Sequence, residues 1–227
     1  LWKAPAQRLR AGLALTLGTC LPIAPITVRN YVVSGEPVLI ATQAGVNFWI
    51  GNNPTSDGMT AVVPGTRAGW WEGYEDSRRL ARIEAGKDLT DSQISEHYMA
   101  KAWDWMRAHP GAAMRQMAWK LRLFFMDWEL SNNQEIRFTS HRFNPLSYAS
   151  VSFGVLLALG LVGMAYALRR RAAALFPLWG FFWIYTLGVV AFFVCSRFRV
   201  PVLPVLMVFA GYGLGEWWRW LRTRQWV

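Results

Sequence analysis

The chain has 227 residues, with 24 Lys+Arg against 14 Asp+Glu and a formal net charge of +10. A soluble domain so basic would suit nucleic acid, but 53% hydrophobic residues, 14 Trp and a mean hydropathy of +0.16 fit that poorly, so no nucleic-acid partner is expected. The apolar fraction excludes a disordered chain, and two cysteines are too few for a disulfide scaffold.

The charge is unevenly placed. Residues 29–142 hold 13 bases and 13 acids and are neutral, so the remainder holds 24 − 13 = 11 bases and a single acid, Glu216. Short basic clusters beside apolar runs are the pattern of a membrane protein. The expected fold class is a polytopic α-helical membrane protein: four transmembrane helices, with a mixed, mostly helical extracytoplasmic domain between spans one and two.

Residues 1–10 carry Lys3, Arg8 and Arg10 and read as a cytoplasmic segment before a first uncharged run, 11–28, of 18 residues. In the outer domain, 29–142, the stretches 36–42 (EPVLIAT) and 46–50 (VNFWI) are predicted as short strands, and 55–70 as a surface loop. Thr90 with Gln93 fits a capping box, and Ile94, Tyr98, Ala102, Trp105 and His109 recur at helical steps until Pro110 stops the run. A second helix, about 111–128, gathers Met114, Met117, Ala118, Leu121, Phe124, Phe125 and Trp128 on one stripe, with Arg115, Lys120 and Arg122 opposite. Such a helix can lie in the membrane interface or pack on the outer domain.

Two further uncharged runs, 143–168 and 172–196, flank a basic cytoplasmic loop, 169–171. At 1.5 Å per residue both can cross a core of roughly 30 Å, whereas the last run, 200–215, reaches only about 24 Å before Glu216. Trp217, Trp218 and Trp220 supply interfacial anchors, so the fourth span is set at 200–218, with 219–227 as a cytoplasmic tail bearing Arg219, Arg222 and Arg224. With both ends inside, nine bases fall on the cytoplasmic side and the neutral domain is translocated. Arg197 and Arg199 resist the rule, because they form the outer turn, 197–199, between spans three and four.

Those two arginines are the main lead to chemistry. A base near hydrocarbon costs about 2.5–3.5 kcal/mol at mid-span, less at the edge, and guanidinium forks match phosphate oxygens, so a specific lipid phosphate would compensate them. Snorkelling to ordinary headgroups is the alternative. Arg29, at the outer mouth of span one, can meet a phosphate or mark the interface. Asn52 and Asn53 have amides suited to sugar hydroxyls, yet Gly-Asn-Asn-Pro is also a good turn. Asp127 and Glu129 could hold a divalent cation, but a pair without a third ligand indicates none, and no metal site is assigned. His97, His109 and His141 lack metal-ligand spacing, and Cys20 and Cys195 read as packing residues.

Four motifs in order, ITVRNY (26–31), GVNFWIGNNP (45–54), AHPG (108–111) and SRFRVP (196–201) followed by Pro204, resemble the C-terminal half of bacterial integral-membrane glycosyltransferases. The resemblance is to the family 39 type of the GT-C superfamily, related to protein O-mannosyltransferases and lipid A aminoarabinose transferases. It implies inverting transfer of a sugar from a polyprenyl-phosphate carrier to a lipid, glycan or protein acceptor, on the outer face of the bacterial cytoplasmic (inner) membrane. Arg197 and Arg199, with Arg29, would then bind the carrier phosphate, and Asn52, Asn53 and Asn47 would line the sugar pocket. No firm cofactor is implied. The family's acidic base lies just after its first span, which would place it upstream of Leu1, so this chain is expected to be the C-terminal part of a longer protein and inactive alone. An O-antigen ligase or polymerase, or a non-enzymatic envelope protein binding a protein or polysaccharide, are the alternatives.

Overall fold

The computed structural model describes residues 5–128, 130, 151–170 and 172–223, and every element among them is helical. Lys3, Glu129, His141, Arg142, Arg171, Arg224 and the start of the predicted second span, 143–150, lie outside the described residues. Among the described residues three helices are long and apolar enough to cross a membrane, Pro5–Ser34, Ala173–Ala191 and Ser196–Thr223, as in a helical membrane protein.

The chain divides into two compact units, residues 1–49 with 62–105, and residues 50–61 with 106–227. The first contains α1 (Pro5–Ser34), most of α2 (Ala44–Gly51), α3 (Trp70–Ala85) and most of α4 (Asp91–Ala108). α1 buries no residue against the described chain, and its apolar surface suits lipid. Pro22 and Pro25 remove backbone donors from inside it, and Thr19 and Thr27 turn their hydroxyls back onto the carbonyls of Leu15 and Ile23.

Neither predicted strand forms. Residues 36–42 follow α1 as irregular chain whose carbonyls are taken by α1 side chains: Asn30 Nδ2 donates to Val38 O and Ile40 O at 3.2 and 3.1 Å, and Thr27 Oγ1 donates to Leu39 O at 2.9 Å. Residues 46–50 lie in α2 because burial follows helical spacing there, with Gly45, Phe48 and Trp49 all covered. Gly45 has no space for a side chain, since a Cβ there would run into the Ser95 carbonyl. The capping box does form: Thr90 N–H donates to Gln93 Oε1 at 3.1 Å and Gln93 N–H to Thr90 Oγ1 at 3.4 Å. Ile94, Tyr98 and Ala102 of α4 are buried at four-residue steps, as the periodicity predicts.

The second unit holds α5 (Pro110–Phe125), α6 (Phe153–Arg169), α7 (Phe176–Ala191) and α8 (Leu203–Thr223), with short 3₁₀ turns at Ala173–Leu175 and Ser196–Val202. α6 and α8 pack backbone to backbone. A Cβ on Gly163 would strike the Phe209 carbonyl, and one on Gly213 would come within 3.0 Å of Gly163 Cα, so small residues let the pair close without a hydrophobic drive between helices in lipid. Glu216, the only acid of the predicted last span, is buried on α8 and bonds Arg219 at 2.6 Å, with Arg170 at 3.7 Å. With that pairing α8 runs through Glu216 to Thr223, beyond the predicted limit at 218.

α7 ends at Ala191, earlier than the predicted limit at 196. The chain then runs extended for a few residues, and its backbone groups find partners elsewhere: Val194 N–H donates to Gly58 O at 2.8 Å and Ser196 N–H to Leu130 O at 3.0 Å. This short strap leads into the turn that carries Arg197 and Arg199.

Candidate functional site

The site is organised on α5, whose two ends grip different segments. Pro110 sits at its first turn, where a missing N–H costs nothing, and the burial stripe runs Ala113, Lys120, Leu123 and Phe124. This is a rotation from the predicted stripe: Met114 is exposed at 74%, Ala118 is exposed, and Lys120, expected on the polar face, is fully buried.

One row of α5 side chains captures the 51–58 segment. Gln116 Nε2 donates to Asn53 O at 2.7 Å, Trp119 Nε1 to Asp57 O at 3.0 Å, and the Lys120 ammonium to Gly51 O at 3.0 Å and to Asn52 Oδ1 at 2.9 Å. The third ammonium bond, at 3.0 Å, reaches Phe192 O at the head of the strap. An ammonium has three N–H donors, and Lys120 therefore has one oxygen for each. Burial lowers its pKa to about 8, so it remains protonated at neutral pH. Gly58, with φ of +81°, completes the pocket: a Cβ there would lie 2.8 Å from Lys120 Cγ, so glycine serves both the left-handed backbone and the space.

Asn52 and Asn53 are each only 1% exposed. The Asn52 amide donates to Ala191 O at 2.8 Å while its oxygen accepts from Lys120. Asn53 Nδ2 donates to Ile50 O at 3.0 Å, and its Oδ1 accepts from Thr55 N–H and Thr55 Oγ1, both at 2.9 Å. Here the pair is engaged in building the turn and tying it to α7.

The other end of α5 is held by Arg199. The residue is 4% exposed, and its guanidinium donates to Leu123 O at 2.7 Å and to Trp128 O at 3.0 Å and lies 4.8 Å from the centre of the Phe153 ring. Leu123 O belongs to the last turn of α5, where it also accepts the Met126 N–H at 3.3 Å and the dipole favours a cation. Arg197 differs: it is exposed and lies 5.1 Å over the ring of Phe198. The 3₁₀ turn, with Pro201 inside it, thus points one arginine into the protein and leaves the other on the surface.

Of the predicted site residues, Asn52, Asn53, Arg197 and Arg199 belong to the second unit. Arg29 and Asn47 belong to the first unit. Arg29 is exposed on α1 and touches Asn30 Oδ1 at 3.3 Å, and Asn47 is half-buried on α2. Asp127 accepts from Gly154 N–H at 2.6 Å and so caps the start of α6, while Glu129 lies outside the described residues. Among the described residues no group of three potential metal ligands occurs. Sequence reasoning missed Lys120, and also Asn30 and Thr27 as supports of the chain after α1. The spacing of Lys120 from Ala113 and Phe124 is the one signal that could have found it.

No family model, curated protein or solved structure matches the chain.

Proposed function

We propose that the chain forms part of an integral-membrane glycosyltransferase that takes a sugar from a polyprenyl-phosphate carrier. In this reading spans 11–28, 143–168, 172–196 and 200–218 cross the cytoplasmic membrane of a bacterium, both ends face the cytoplasm, and residues 29–142 lie outside. The observation that carries it is the divided arginine pair. Arg199 is spent on α5, and this anchors a rigid turn from which Arg197 projects with its donors toward solvent or headgroups.

The chemistry asks for such a group. As the bond between the anomeric carbon and the phosphate oxygen breaks, the electron pair stays on phosphate, and a fixed guanidinium stabilises that charge where it develops. The acceptor oxygen attacks the opposite face, inverting the carbon, and its proton passes to a base, a role assigned to no residue here. The amides of the 52–53 turn would border the sugar through whatever capacity their internal bonds leave.

In the intact protein, Arg197→Ala is expected to lower transfer from a polyprenyl-phosphate sugar by about 100-fold or more, with membrane insertion unchanged. The measurement is radiolabelled sugar transfer in vesicles beside a protease-protection assay for topology. Wild-type turnover in the variant would remove the phosphate role.

A further inference from the structure

Of the two buried cations among the described residues of the second unit, Lys120 and Arg199, the lysine joins two distant segments through one atom. It is fully buried, and each of its three oxygen partners is a carbonyl or an amide, with no carboxylate among them. Burying an ammonium in this way costs desolvation that a leucine at the same position would avoid. What the lysine contributes in exchange is direction, because its three bonds end on two segments far apart in sequence. Gly51 O and Asn52 Oδ1 belong to the asparagine turn, and Phe192 O belongs to the strap.

Two neighbouring contacts tighten the same junction. Asn52 Nδ2 reaches across to Ala191 O at 2.8 Å, and Gly51 approaches so closely that a Cβ on it would strike the Phe192 carbonyl. Val194 N–H then bonds Gly58 O at 2.8 Å, two residues before the 3₁₀ turn begins. The turn and the strap therefore meet along their length, with the ammonium at the point where both meet α5.

We propose that Lys120 is a positioning residue that fixes the 51–53 turn against the 192–196 strap, so that the asparagine pair and Arg197 are held at one spacing. It acts through those groups and touches no substrate itself. Its kinetic consequence rests on the transfer reading above; its mechanical consequence does not.

The full-length protein in lipid nanodiscs tests both. In Lys120→Met, amide hydrogen exchange is expected to quicken by about tenfold in peptides covering 51–58 and 192–199 together, with the α6–α8 pair unchanged. Transfer from a polyprenyl-phosphate sugar is expected to lose about 100-fold in kcat, with donor KM within about threefold, the mark of misplaced rather than missing binding groups. Gln116→Leu, which cuts the hold of α5 on Asn53 and Ser56 only, is expected to loosen 51–58 and leave 192–199 protected. If Lys120→Met fails to insert, Lys120→Gln keeps two donors and is expected to show the same paired loosening in smaller degree. Wild-type exchange at 192–199 in the lysine variant overturns the proposal, as does equal loosening of 192–199 by Gln116→Leu, or an unchanged kcat. Absence of transfer by the wild-type protein defeats the enzymatic reading alone, and the exchange result then decides the clamp.

Discussion

The buried cations of the second unit are held differently from the carboxylate-paired cations of the first. In the first, cations meet carboxylates: the exposed Arg67 fork bonds the buried Asp76 at 2.8 and 3.1 Å, and Lys101 donates to the partly exposed Glu84 at 2.6 Å. In the second, the two most buried cations, Lys120 and Arg199, rest on carbonyl and amide oxygens. Exposed pairs contribute little each and weaken in salt, whereas a buried cation on neutral oxygens is insensitive to salt and leaves orphaned acceptors when removed. The partly exposed Lys101–Glu84 pair should therefore matter less to the fold than the buried bonds of Lys120 and Arg199.

The largest effect should come from Arg199→Met. It removes two charge-assisted bonds, to the Leu123 and Trp128 carbonyls, each worth about 1.5–3 kcal/mol, so destabilisation of about 3 kcal/mol is expected in a denaturant titration in detergent. A loss indistinguishable from that of an exposed arginine such as Arg222 would dissolve the contrast between the units. Next comes Gly163→Val, where added volume has to push α6 off the Phe209 carbonyl; overpacking typically costs about 1–3 kcal/mol, read as a lower melting temperature.

The smallest effect lies in the first unit and is set by pH. The Arg67 fork holds the Asp76 carboxyl well below its ordinary 3.8, at about 2. Its folded-state pKa being depressed, the stabilisation is complete above about 4 and is lost as pH falls toward 2. Acid titration of the wild type should show a decline in that window that Asp76→Asn lacks. A variant that declines in parallel would show that other carboxylates dominate.

Much of this architecture was legible in the sequence, and the places where it was not share a cause. Three apolar helices among the described residues coincide with the first, third and fourth uncharged runs because lipid demands uninterrupted apolar length, and the Thr90–Gln93 box is readable because its signal is local. Residues 46–50 look like a strand by composition, but what decides between strand and helix is whether a neighbouring strand exists to pair with, and none is present among the described residues. Lys120 was placed on the polar face because charge ordinarily marks the wet side; only the carbonyls of Gly51 and Phe192, distant in sequence, make its burial tolerable. Of the candidate site, the residue types and the turn were readable in advance. Which of Arg197 and Arg199 faces outward was not, because the acceptors that draw Arg199 inward, at Leu123 and Trp128, belong to another segment.

The glycine contact between α6 and α8 also bears on the timing of synthesis. From the end of α6 to the start of α8 the ribosome adds 203 − 169 = 34 residues, so at roughly 5–20 residues per second α6 waits about 2–7 s for its partner. During that interval the small-residue face at Gly160 and Gly163 has yet to meet Leu206 and Phe209, its partners in the finished fold. The order in which the chain leaves the ribosome thus sets how long that face waits for Phe209 and Gly213 to close over it.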